Sequence, residues 1–164
     1  EGIDTGDIIS QKVYPINDDD DYGTLLNRAF VGCADLLFKT LQSFKDNSYT
    51  RTKQSKLHPV GFYCGGRGMG DEIIDWNQTS RELFNFIRSI SEPGPLAHTF
   101  LNDSVIKIES SKMIHDAPSY KGTPGQVLMK TNNGLIVKTL DSFLEVFVNN
   151  DDIRIRVGDK FNSK

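Results

Sequence analysis

At 164 residues, with 37% hydrophobic and 25% charged residues, the chain has the composition of a globular protein, which excludes a disordered or fibrous chain. No apolar run approaches the roughly 18 residues of a membrane-spanning helix, so the sequence predicts none. Residues 1–95 carry 10 Lys and Arg against 14 Asp and Glu, and residues 96–164 carry 9 against 8, so neither half has the strong basic face typical of nucleic-acid binding.

The first 45 residues predict a strand followed by a long helix. Residues 7–14 contain several β-branched side chains and are followed by Pro15, as a strand would be. Four aspartates at 18–21 suit the positive end of the helix that follows. One face of this helix is apolar over about five turns, which predicts a helix buried in a core. Its apolar positions are Leu26, Phe30, Cys33, Leu37, Leu41 and Phe44.

The cysteines and the first residues bear on the compartment and on the extent of the chain. Cys33 and Cys64 are far apart and lack CxxC spacing, and no charged-then-apolar leader opens the sequence, so we expect a reduced, cytoplasmic protein with a buried Cys33 thiol. The chain begins at Glu1, and the run from Asp4 to Tyr14 starts without a turn or cap. We therefore expect a fragment cut from a larger domain.

A glycine-rich segment at 65–70 follows a polar loop over 45–57. Its four glycines flank Arg67. Such an arrangement would let backbone amides approach a phosphate while the guanidinium pairs with it. The segment matches neither GxGxxG nor a P-loop, so a flexible turn is at least as good an interpretation.

A short capped helix is predicted after Trp76, the only tryptophan. Thr79 and Glu82 have the spacing of a capping box, in which each side chain bonds the backbone of the other residue. The segment 93–95, Pro-Gly-Pro, ends this helix.

From Thr99 onward the hydrophobic period changes to that of strands. Apolar and polar residues alternate in five or six short runs, and residues 132–134 have the sequence of a hairpin turn. The runs centre on 106–108, 127–129, 135–137, 144–148 and 153–157. This pattern is typical of a small antiparallel barrel or an open sandwich, and we predict a small all-β, barrel-like (OB-like) module over 96–164, with a boundary near Pro95.

Candidate chemical groups are few. Asp4 and Asp7 flank Gly6 in a turn that can present a carboxylate near a strand, although a structural turn is the better interpretation from these residues alone. The three histidines have no metal-ligand spacing, so no metal is expected.

Several segments together resemble the folate-dependent formyltransferases, the family that contains methionyl-tRNA formyltransferase and the sugar N-formyltransferases. The matching segments are residues 3–9 (IDTGDII), 21–25, 74–76, 87–90 with 93–95, and 122–127 (GTPGQV). The resemblance implies an α/β fold in which residues 1–95 are the carboxy-terminal part of a Rossmann-like transferase domain. It also implies 10-formyltetrahydrofolate as co-substrate.

In this family the aspartate of the DTGDI segment belongs to an Asn–His–Asp catalytic set, which places that role on Asp4. Asp4 and Gly6 are then the residues expected to bind the folate. The family's Asn and His lie upstream of this position and are absent from the chain. We therefore expect the 164 residues to be inactive alone.

The glycine-rich segment and residues 117–122 look more like the sugar N-formyltransferases. The expected acceptor is the amine of a nucleotide-linked amino sugar from surface-polysaccharide synthesis, with Arg67 on its diphosphate. Expected stacking partners for its base are Phe62, Tyr63, Trp76 and Tyr120, with a core role as an equal alternative for Trp76. Methionyl-tRNA formylation and a non-catalytic dimerisation or docking module are the alternatives, and a homodimer is a further expectation.

Overall fold

A computed structural model describes residues 4–149 and 153–163. Its contacts divide the chain into two compact units, the first formed by residues 1–18 with 24–67 and the second by residues 19–23 with 68–164. The named elements are α1 (Tyr22–Lys45), α2 (Gln54–Leu57), α3 (Ser80–Ser89), β1 (Ala97–Leu101), β2 (Ser104–Lys112), β3 (Val127–Lys130), β4 (Leu135–Lys138) and β5 (Phe143–Val148).

The first unit is dominated by α1, whose apolar face is exposed. Phe30 is 65% exposed, and Leu37, Leu41 and Phe44 are also uncovered. The prediction of a core helix is therefore wrong for the described chain, and so is that of a buried Cys33. The physical reason is that the described part of this unit offers the helix no sheet to pack on.

The strand predicted at 7–14 is reduced to one isolated bridge, between Ile8 and Thr52. Among the described residues the named strands all belong to a single antiparallel sheet. A partial Rossmann-like sheet is therefore not confirmed. Segment 7–14 has the sequence of a strand, but a strand needs a partner to complete its hydrogen bonds.

The second unit holds the sheet, in the order β1-β2-β5-β4-β3. The predicted turn at 132–134 joins β3 to β4, with Lys130 opposite Leu135. Helix α3 packs on β2 and β5. It buries Leu83, Phe84 and Ile87 in the same core as the inward side chains of the strands.

The predicted capping box of α3 is confirmed. The Thr79 hydroxyl accepts from the Glu82 N–H, and the Glu82 carboxylate accepts from the Thr79 N–H at 2.8 Å. Because α3 packs on the sheet, residues 68–95 belong to the same compact unit as the strands. The domain boundary near Pro95 stays a prediction.

The sheet is open, so the barrel-like prediction is not confirmed. The strand predicted at 153–157 is absent, and the chain beyond it makes isolated bridges only. Lys160 bridges Gln126 beside β3, and Asn162 bridges Phe100 in β1. Short pairings thus reach both edges of the sheet without forming a sixth continuous strand.

Candidate functional site

Asp4 lies in an exposed turn of the first unit. Its φ of 58° is in the left-handed region, which Asp adopts more readily than most residues. The side-chain amide of Gln54 donates to the carbonyl oxygens of Asp4 at 2.7 Å and of Gly6 at 2.9 Å. Gln54 therefore fixes the backbone of this turn and leaves the Asp4 carboxylate at the surface.

The glycine-rich segment is open to solvent. A Cβ atom at Gly65 or Gly66 would meet nothing within 4 Å, so packing within the described chain does not require glycine there. Arg67 is exposed, and Tyr63, four positions earlier in the chain, is 93% exposed. Residues 63–67 thus offer a cation, an aromatic face and an approachable backbone to a ligand.

Trp76 belongs to the core of the second unit. Only 2% of it is exposed, its indole N–H donates to the Thr99 hydroxyl at 2.9 Å, and its ring stacks on Phe161 at 5.8 Å. The Thr99 hydroxyl in turn donates to the carbonyl oxygen of Asn162 at 3.0 Å. These contacts favour the core interpretation of Trp76 over base stacking.

Tyr120 is 40% exposed and lies in the segment that runs from Ala117 to Pro124. Its backbone N–H donates to the carbonyl oxygen of Asp141 at 2.9 Å. The Nζ of Lys138 lies 4.4 Å from the centroid of its ring. Lys138 and the Phe143 ring, whose centroid lies 6.3 Å away, therefore both contact the Tyr120 ring, and part of its surface stays accessible.

Asp141 joins this segment to the start of α3. One of its carboxylate oxygens accepts from the Ser80 N–H at 2.8 Å, from the Ser80 hydroxyl at 3.1 Å and from the Thr139 hydroxyl at 3.1 Å. Burial raises the pKa of the Asp141 carboxyl, but the hydrogen bonds from Ser80 and Thr139 outweigh it, and the pKa is lowered. The ionised carboxylate therefore stabilises the helix terminus that carries Thr79.

We expect Asp141→Asn to lower the free energy of unfolding at pH 7 by about 1–2 kcal/mol, because charge-assisted hydrogen bonds to the α3 terminus become neutral ones. Since the folded-state pKa lies below that of the unfolded chain, about 3.9, this stabilisation is present above that value and is lost as the pH falls through the folded pKa. Urea unfolding, followed by Trp76 fluorescence at a series of pH values from about 2.5 to about 7, measures this change in the free energy of unfolding.

The control for Asp141 is Asp103→Asn, which changes an exposed carboxylate in the turn between β1 and β2. It should leave stability within about 0.5 kcal/mol. Equal stability of wild type and Asp141→Asn across the whole pH series would contradict the assignment.

The predicted site residues divide between the two units. Asp4, Gly6, Tyr63 and Arg67 belong to the first, and Trp76 and Tyr120 to the second. Sequence reasoning missed Gln54, Lys138 and Asp141, which position these segments. The sequence does contain one signal for them: Lys138 is a charged residue at the end of the apolar run of β4, which could have marked it as unusual.

Neither a metal site nor a membrane span emerges from residues 4–149 and 153–163. No group of three or more His, Cys, Asp or Glu side chains there is arranged to hold a metal ion. None of the helices in those ranges is long and apolar enough to cross a membrane.

Comparison with protein families gives a match over residues 69–152 to "Formyl transferase, C-terminal domain". Methionyl-tRNA formyltransferase of Streptococcus agalactiae is 33% identical over 174 aligned positions, covering 97% of this chain and 54% of the relative. That of Mycoplasma capricolum is 34% identical, covering 87% of this chain and 44% of the relative. The chain spans about half the length of these curated relatives.

Solved structures match the chain as well. WlaRD, a sugar 3N-formyltransferase solved in the presence of dTDP and 5-N-formyl-THF, matches with 27% identity and a TM-score of 0.63, over 92% of this chain and 52% of that one. An N-formyltransferase of Helicobacter canadensis, in complex with folinic acid and dTDP-3-aminofucose, matches with 25% identity and a TM-score of 0.65, over 90% of this chain and 51% of that one.

Proposed function

We propose, from the premise that this chain belongs to the folate-dependent formyltransferase family and carries its carboxy-terminal domain, that its parent protein transfers a formyl group from 10-formyltetrahydrofolate to an amine. The family match over residues 69–152 is the observation that carries the proposal. Relatives named as formyltransferases, two of them crystallised with folate derivatives, support the co-substrate.

Asp4 is the proposed catalytic residue of this chain. Its carboxylate would orient and stabilise the family's histidine, and would help to remove the proton that the amine loses as it attacks the formyl carbon. Its exposure on a turn fixed by Gln54 supports this role, because a catalytic carboxylate must reach groups outside its own segment. Gly6, in the same turn, is the proposed neighbour of the folate.

We propose a nucleotide-linked amino sugar as the acceptor. Two similar structures contain dTDP or a dTDP-sugar, and in this chain Arg67 and Tyr63 are both exposed beside glycines that packing does not require. A diphosphate would pair with the guanidinium, and a base would stack on an aromatic ring. Phe62, which is exposed as well, is a second stacking candidate.

Methionyl-tRNA formylation is the second candidate, and the identity of 33% to a methionyl-tRNA formyltransferase favours it. Against it, a tRNA acceptor needs several phosphate contacts. The charges of −4 on residues 1–95 and +1 on residues 96–164 offer no concentrated basic surface.

A non-catalytic docking or dimerisation module is the third candidate, and the exposed apolar face of α1 bears on it. Since the chain spans about half the length of its curated relatives, we infer that further chain of the parent covers this face. Light scattering that shows the intact parent dimerising, together with loss of the dimer in Leu37→Glu, would instead make the face a contact between copies. Folate and sugar binding without turnover would favour the non-catalytic candidate.

We expect Arg67→Ala in the parent to weaken sugar-nucleotide binding by about 1.5–3 kcal/mol, the range for a hydrogen bond to a charged group. Calorimetric titration with dTDP-, UDP- and GDP-linked 4-amino sugars measures the loss. Folate affinity should not change, because Arg67 is proposed to touch only the acceptor.

The matched control is Arg51→Ala, which removes another exposed arginine of the same unit and should leave sugar-nucleotide affinity unchanged. Titrating initiator tRNA at two salt concentrations tests the second candidate. Tight, steeply salt-dependent tRNA binding without sugar-nucleotide binding would overturn the proposed acceptor.

A further inference from the structure

Lys138 is the most deeply buried charged side chain among the described residues, with 1% of its surface exposed. Its ammonium group donates to the carbonyl oxygen of Thr139 at 2.7 Å and lies 3.4 Å from that of Leu140. The face of the Tyr120 ring is its third neighbour. No carboxylate of the described residues lies within ion-pair distance of it.

The carbonyl oxygens and the ring face favour a cation, but its removal from water opposes the charged form. Burial lowers the pKa of Lys138, and the negative charge of Asp141 opposes that change without removing it. The unfolded chain therefore holds the Lys138 proton more tightly, and stability rises with pH from the lowered pKa toward the ordinary value near 10.5. An unbranched apolar side chain would fill the same space without this cost.

The position of Lys138 shows what the buried cation does. Three hydrogen bonds tie the segment 117–124 to the turn after β4: from Ser119 and from the Tyr120 N–H to the Asp141 carbonyl oxygen, and from the Ser142 hydroxyl to the Pro118 carbonyl oxygen. All three fix backbone or short side chains. None of them orients the Tyr120 ring.

Two other contacts restrain the ring: the Lys138 ammonium and the ring of Phe143, whose centroid lies 6.3 Å from that of Tyr120. The ammonium lies against the Tyr120 ring, and the aliphatic stem of the lysine lies under Gly122, where an added Cβ would come within 2.8 Å of the lysine Cε. The stem therefore sets the height of the segment above β4, and the cation sets the direction of the ring.

We propose that Lys138 is a positioning residue that orders the segment 117–124 and orients the ring of Tyr120 within the second unit.

Lys138→Met and Tyr120→Leu, singly and combined, test the positioning in the 164-residue chain. We expect either change to speed amide hydrogen exchange within 117–124 by about 3-fold to 30-fold. This is the change in the equilibrium constant for local opening that corresponds to losing one cation–π contact. The double variant should add little to the single ones, because both remove one contact. Tyr120→Phe keeps the ring face and should exchange like wild type.

The melting temperature separates positioning from a general structural role. Lys138→Met should not lower it by more than about 4 °C, because the cost of burying the ammonium disappears together with its contacts. Unchanged exchange in both single variants, or a larger loss of melting temperature in Lys138→Met, would overturn the positioning role.

Discussion

Asp4→Asn in the parent enzyme is expected to lower turnover by about 100-fold or more, the scale of general acid–base participation. Asparagine keeps the size of the side chain and can occupy the left-handed backbone that Asp4 adopts, so the turn should survive the change. The lost property is the charge that would stabilise a protonated histidine in the transition state. Steady-state rates with 10-formyltetrahydrofolate and an amino-sugar nucleotide measure the effect.

Asp7→Asn is the control for this measurement, because it removes a second exposed carboxylate of the same turn. We expect it to retain turnover within about 3-fold, since only Asp4 matches the family's catalytic aspartate. A near-normal rate for Asp4→Asn would remove Asp4 from the catalytic set. Equal losses in both variants would point to the charge of the whole turn.

Trp76→Ala is expected to lower the free energy of unfolding by about 3–5 kcal/mol, the range for removing a buried aromatic side chain. The change leaves a cavity against Phe161 and removes the donor that bonds the Thr99 hydroxyl. Far-UV circular dichroism in urea measures the loss, since the chain has only one tryptophan.

Trp76→Phe separates the core role from base stacking. It keeps an aromatic ring but loses the indole N–H, so we expect a loss of about 1–2 kcal/mol in stability and no change in sugar-nucleotide affinity. Phe62→Ala, which truncates an exposed aromatic ring, should leave stability within about 0.5 kcal/mol. Weakened sugar-nucleotide binding by Trp76→Phe at unchanged stability would restore the stacking role.

The elements that the sequence predicted well are those whose bonds close over a few residues. The capping box pairs Thr79 with Glu82, and the turn after β3 pairs the Thr131 N–H with the Gly134 carbonyl oxygen. The alternation of Ile106 and Ile108 with polar residues likewise predicted β2. In each case the pattern contains both partners of the interaction.

The predictions failed where the second partner is far along the chain or outside the described residues. Segment 7–14 has the β-branched residues of a strand but pairs only at Ile8, and α1 has the apolar face of a core helix without a sheet beneath it. A hydrophobic pattern shows which face needs burial, and it cannot show whether a partner is present.

The resemblance to the formyltransferases was determined by the sequence, because it rests on short motifs such as IDTGDII and GTPGQV. The arrangement around Tyr120 was decided by the tertiary structure. Ser80 and Asp141 are 61 positions apart in the chain. Only the packing of α3 on the sheet brings the Ser80 N–H nitrogen to 2.8 Å from a carboxylate oxygen of Asp141. Lys138 ends an apolar strand in the sequence, and its burial follows because the segment 117–124 folds back over it.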